Sequence, residues 1–149
     1  VIQFDAHTDL REEYLGENLT HSGVMKQIGK IIGFENIAQI GIRSGEKEEF
    51  ELMETYSTLK FQHLELDKFK DKNIFITIDL DVLDPGIMSG VGTPEAGGLS
   101  YNELLGWLKY LKNFNVIGMD VVELAPDIDT TKNSTATACK LIRECLMIL

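Results

Sequence analysis

The sequence predicts an α/β fold, a mainly parallel β-sheet flanked by helices. Three observations predict it. Short runs of β-branched and aromatic residues alternate along the chain with stretches of helical spacing. The central run, Asn73 to Leu80 (NIFITIDL), is apolar with little alternation, as in a strand covered on both faces. Acidic residues follow these runs at their carboxyl ends, where parallel sheets collect functional groups.

Taken in order, Val1 to Phe4 reads as a short buried strand ending at Asp5, and Arg11 to Thr20 as a polar loop. His21 to Ile32 carries Val24, Met25, Ile28, Ile31 and Ile32 at helical spacing, with Gly33 placed as a C-cap. Ile37 to Ile42 reads as a second strand, leading into Arg43 and Ser44. Glu46 to Leu59 is a charged helix that includes Phe50, Leu52, Met53 and Tyr56, and Gln62 to Leu66 reads as a short strand. Asp84 to Gly98 holds Pro85, Pro94 and several glycines and is an ordered loop. Ser100 starts a helix to about Lys112, with Glu103 completing a capping box. Val116 to Val122 is a further strand, Asp129 to Asn133 a loop, and Ser134 to Leu149 a final helix. There is no internal repeat and no low-complexity segment.

A chain of 149 residues is enough for one domain with a sizeable core. The net charge of −10 argues against nucleic acid or an anionic membrane as partner, because both need basic patches. No run is long and apolar enough for a membrane span, and no signal-peptide pattern is visible. Cys139 and Cys145 lie six apart on one predicted helix, about 9 Å along its axis, too far for a mutual disulfide. They read as buried thiols of a cytoplasmic protein.

Two constellations carry chemistry. In Asp5-Ala6-His7-Thr8-Asp9, three ligand-type side chains alternate with small or hydroxylic residues. Extended chain aims positions i, i+2 and i+4 to one side, so one strand end presents two carboxylates and an imidazole together. A polar strand end with a helix cap is the alternative reading. In Asp79-Leu80-Asp81, two more carboxylates end a very apolar strand. Buried side by side, one of them would take up a proton unless a cation lay between them. Asp84, before Pro85, reads instead as a turn former. Asp5, His7, Asp9, Asp79 and Asp81 are therefore candidate metal ligands, too many for one open catalytic ion and suited to two. Oxygen and nitrogen donors suit a first-row divalent ion such as Mn²⁺.

DAHTD, TIDLDVLDP and GVGTPEAGGLS, in this order and spacing, resemble the signatures of the ureohydrolase (arginase/agmatinase) family along essentially the whole chain. The resemblance implies a three-layer arginase-like fold and a cofactor of two Mn²⁺. It implies that Asp5 and Asp79 bridge the ions, that His7 and Asp81 bind one, and that Asp9 binds the other. It implies that His21 relays a proton to the leaving amine, that Glu123 binds a substrate guanidinium, and that Thr93 touches the same group. Asp120, in the strand before Glu123, reads as buried and structural. His63 is assigned no role. The family's remaining ligand, a histidine in an upstream GGDH motif, has no counterpart here. With no initiator Met, residues 1–149 are expected to be the C-terminal part of a single catalytic domain, incomplete at the N-terminus.

The implied reaction is hydrolysis of a small cationic guanidino substrate to urea and an amine. DAHTDLRxEYxGE and Gly41-Ile42-Arg43-Ser44 resemble the agmatine-hydrolysing branch, which gives putrescine. Arg11 stands where arginases usually carry an asparagine that helps hold the substrate's amino-acid head. Other members of the family, acting on guanidinobutyrate, arginine or formiminoglutamate, are the alternatives, as is an inactive metal-binding fragment. The family commonly forms trimers or hexamers, so a homo-oligomer is expected.

Overall fold

The computed structural model describes residues Val1–Leu149. Four parallel strands form one sheet in the order β2-β1-β3-β4: β1 (Ile2–Phe4), β2 (Ala38–Ile40), β3 (Asn73–Asp79) and β4 (Asn115–Val122). Four helices surround them, α1 (Val24–Ile32), α2 (Lys47–Tyr56), α3 (Tyr101–Leu111) and α4 (Asn133–Ile148). The expected α/β architecture is thus the observed one.

Alternation along the strands decides what each face carries. Ile2 and Phe4 of β1, with Ala38 and Ile40 of β2 and Ile74, Ile76 and Ile78 of β3, join Leu104, Trp107, Leu108 and Leu111 of α3 and Leu141 of α4 in the main core. The Phe4 and Trp107 rings meet edge to face, 6.4 Å between centroids. A smaller core gathers Leu10, Met25, Ile37, Ile42 and Met53, and anchors α1 and α2. The intervening positions Gln3 and Gln39, partners in register, are buried polar residues.

Helix ends follow the sequence. Ser100 accepts from the Glu103 amide while the Glu103 carboxylate accepts from the Ser100 amide, the capping box expected for α3. At α2 the Glu46 amide donates to Glu49 Oε2 at 2.6 Å and the Glu49 amide donates to the Glu46 carbonyl at 3.1 Å. Gly33 follows α1 at φ +85°, and its amide donates to the Gly29 carbonyl.

Four expectations need correction. Gln62 to Leu66 is no strand: His63–Phe69 is a 3₁₀ helix. The Glu65 carboxylate accepts from the Phe61 and Gln62 amides at 2.8 and 2.7 Å, and this local cap outcompetes the strand pattern. β3 is covered on both faces only at its carboxyl end; Asn73 and Phe75 are exposed. Asp120 is exposed on its face of β4. Cys145 is buried, its thiol pushed up to about 11 by burial, but Cys139 is exposed on the other side of α4.

Candidate metal centre

The carboxyl ends of β1 and β3 are adjacent, since the two strands pair in parallel with Phe4 opposite Ile78. Asp5 therefore emerges beside Asp79. The chain after β1 is held by bonds to its neighbours: the Asp5 amide donates to the Ile40 carbonyl at 3.1 Å, and the Ala6 amide donates to Asp81 Oδ1 at 3.0 Å. Asp79 caps the short turn that follows β3, accepting from the Asp81 amide at 3.0 Å. Each aspartate is thus fixed by backbone bonds near the strand that carries it.

Asp5, His7 and Asp81 bring ligand atoms within 4.8 Å of one another. Two donors on opposite sides of one divalent ion stand at most about 4.4 Å apart, so little movement would close them on a cation. His7 Nδ1 lies 2.9 Å from Asp81 Oδ2 and 3.5 Å from Asp5 Oδ1. Asp9 and Asp79 stand outside this tight group but line the same cavity, of about 680 Å³. His21, Glu123 and Thr93 line it too. Every candidate site residue except the buried Asp5 therefore opens on one space.

The electrostatics show why this cluster needs a cation. Burial and the charge of Asp5 push the Asp9 carboxyl up to about 8. Burial, then Asp5 and Asp81, push Asp79 up to about 9. Burial also raises Asp5. Hydrogen bonds to Asp5 and Asp81 lift His7 to about 10. Asp81 is held below the ordinary carboxylate range because its bonds from His7 and from the Ala6 amide outweigh its own burial. Protons thus supply positive charge to a donor set that a divalent ion fits by composition and spacing.

That state predicts proton-linked metal binding. The raised Asp9, Asp79 and His7 favour protons that ligation would displace. Titrating Mn²⁺ into metal-free protein should release protons at pH 7, and affinity should climb as pH rises. Calorimetry in buffers of different ionisation enthalpy measures this. An enthalpy independent of buffer would mean that these groups are already deprotonated.

The remaining candidates lie on flexible-looking sequence that the fold pins down. The Asp9 carbonyl accepts from the Met25 and Lys26 amides at 3.0 and 3.2 Å, joining DAHTD to the start of α1. His21, on the short turn leading into α1, sits edge-on to Tyr14 at 5.5 Å between centroids. Glu123 follows β4 with φ +66° and Asp9 has φ +52°, conformations that side-chain-bearing residues adopt at a cost of about 1–2 kcal/mol. The Thr93 hydroxyl is 3.4 Å from Asp81 Oδ2, so its contact is to a candidate ligand.

Three features escaped the sequence. Gln3 donates to Asp5 Oδ2 at 2.8 Å; Gln39 donates to Gln3 Oε1 at 2.7 Å and to the Thr8 carbonyl at 2.8 Å. This buried amide chain orients Asp5, and its only sequence signal was a glutamine in each of two apolar strands. Glu49 is buried, lines the cavity and accepts from the Leu10 amide at 3.0 Å. Arg43 is the third.

Fold and site together define an α/β domain with an acidic, imidazole-bearing centre fit for divalent cations at the carboxyl edge of its sheet. Residues 1–148 match the model of the arginase family. The chain belongs to that family. It is 44% identical to the agmatinase of Bacillus anthracis, a match covering 99% of this chain and 54% of the relative. It is 33% identical to the arginase of Glycine max, over 97% of this chain and 44% of the relative. A Clostridium difficile crystal structure, solved as a candidate agmatinase, superposes with a TM-score of 0.92 at 46% identity, covering 99% of this chain and 56% of that one. The agmatine ureohydrolase structure from Thermoplasma volcanium superposes with a TM-score of 0.81 at 29% identity, over 97% of this chain and 53% of its own. The chain spans about half the length of these curated relatives.

Proposed function

We propose that the protein carrying this chain hydrolyses the guanidinium of agmatine to urea and putrescine. One observation carries the reading: His7, Asp9, Asp79 and Asp81 face a single cavity that His21 and Glu123 also line, with the buried Asp5 within 4.8 Å of His7 and Asp81. Asp5, His7, Asp9, Asp79 and Asp81 would hold two Mn²⁺. A pair of divalent ions supplies a water acidic enough to serve as nucleophile at neutral pH, and charge that stabilises a tetrahedral carbon. Glu123 offers two oxygens to the two parallel N–H groups of a guanidinium, which fixes the plane of the reacting carbon. His21, exposed at the cavity wall, gives a proton to the departing amine so that it leaves uncharged and not as an amide anion. The 42–44% identity to several bacterial agmatinases supports agmatine over other guanidino substrates. No helix is long and apolar enough to cross a membrane, and we read the protein as cytoplasmic and homo-oligomeric.

The full protein, loaded with Mn²⁺, is expected to bind two ions per chain and to release urea from agmatine. Elemental analysis together with a urea assay tests both. One ion or fewer, or no urea, would remove the reading.

A further inference from the structure

We propose that Arg43 is a positioning residue that holds Asp81 and His7 in ligand geometry; this rests on the metal-centre reading above. Arg43 follows β2, and its own amide donates to the Ala6 carbonyl at 2.8 Å, tying it to DAHTD. Its guanidinium makes no ion pair but reaches carbonyls of three chain segments. Nη1 donates to Gly41 at 2.9 Å and more weakly to Val82 at 3.4 Å. Nη2 donates to Asp81 at 2.8 Å and to Glu95 at 2.7 Å, and Nε donates to Ala96 at 3.1 Å. The end of β2, the turn after β3 and the glycine-rich loop are thus stapled by one planar fork.

Two candidate ligands gain from this. Asp81 is gripped through its own carbonyl, which fixes the backbone from which its carboxylate projects. Glu95 is gripped likewise, and its carboxylate stands 3.8 Å from His7 Nε2. That carboxylate lies beyond hydrogen-bond distance but attracts the Nε2 side of the ring, so Nδ1 keeps facing Asp5 and Asp81. The surroundings are fitted to the fork. A Cβ on Gly98 would stand 2.7 Å from Arg43 Nη2 and 2.5 Å from the Asp84 amide nitrogen. Gly41 has φ +91°, and a Cβ there would meet Val82 Cγ2 at 2.5 Å. Lysine, a point charge on a flexible stem, cannot reproduce five donors in a plane.

The test compares full wild-type protein with Arg43→Lys and Arg43→Ala. Mn²⁺ affinity is read from the electron paramagnetic resonance signal of the free ion, and thermal midpoints are read in chelator. Both variants should bind Mn²⁺ about 10–100-fold more weakly, the usual range for groups that orient metal ligands. The metal-free midpoint of Arg43→Lys should fall by a few degrees, so affinities are compared at a temperature where every variant is folded. Affinity within twofold of wild type in a folded variant would overturn the proposal and leave Arg43 a purely structural residue. Wild-type protein that bound no Mn²⁺ would instead overturn the metal-centre reading. Should neither variant fold, wild-type nitrogen NMR decides. Bonding at both Nη atoms should give separate, slowly rotating Nη–H signals for Arg43, and a single averaged signal would refute the staple.

Discussion

His21→Ala is expected to retain both Mn²⁺ ions and to turn over agmatine about 10²–10⁴-fold more slowly, the usual worth of positioned acid–base help. The geometry makes this a clean substitution. The turn carrying His21 is held by backbone bonds, from the Gly23 amide to the Thr20 carbonyl and from the Arg11 amide to the Ser22 carbonyl. Its ring meets Tyr14 edge-on and carries none of the bonds that fix Asp9. Removing it therefore deletes a proton carrier and spares the ligands. Turnover measured across pH 7–9, with metal content checked in parallel, decides the matter. A rate equal to wild type throughout that range would make His21 a mere wall residue.

Agmatine should exceed L-arginine by at least about 100-fold in specificity constant, equivalent to about 2.7 kcal/mol of transition-state discrimination. Glu123 meets the guanidinium that both molecules share, so the difference must arise at the far end. Two divalent ions would balance Asp5, Asp9, Asp79 and Asp81. Glu49 and Glu123 then remain on the cavity against the single permanent cation Arg11. Arg11 is already engaged: its Nη2 lies 3.1 Å from Glu46 Oε1, and its guanidinium rests 5.5 Å from the Tyr14 ring centroid. Arginine's carboxylate would enter an acidic space whose one permanent cation is already paired, with only neutral hydroxyls to meet it, whereas agmatine brings its ammonium without that carboxylate. Parallel urea assays with agmatine, arginine and 4-guanidinobutyrate measure the preference. Arginine as best substrate would show that Arg11 leaves Glu46 to receive it; guanidinobutyrate as best would move the protein to another branch of the family.

The donor cluster was legible in the sequence because its members are local. Asp5, His7 and Asp9, and Asp79 and Asp81, sit at spacings whose direction is set by extended backbone alone. That the two clusters meet follows from parallel pairing of two neighbouring strands. What stayed hidden depends on partners remote in sequence. Gln39 reaches Gln3 across 36 positions, and Arg43 reaches the Glu95 carbonyl across 52. Neither has a local pattern to betray it. Gln62 to Leu66 was misread for the opposite reason: its spacing suited a strand, but Glu65 sits where it can cap its own turn. Asp120 was misjudged because burial of a strand residue depends on what packs over its face of the sheet, which the strand's own residues do not reveal.

Closure of one sheet margin also bears on the metal centre. The margin at β2 is closed by residues 58–60, where the Gln39 amide donates to the Thr58 carbonyl and the Lys60 amide donates to the Gln39 carbonyl. The Gln39 side chain in turn accepts from the Thr58 hydroxyl at 2.8 Å and donates to Gln3, which donates to Asp5. The contact that seals this margin is therefore the far end of the chain that aims Asp5, so a change at Thr58 reaches a candidate ligand without touching it.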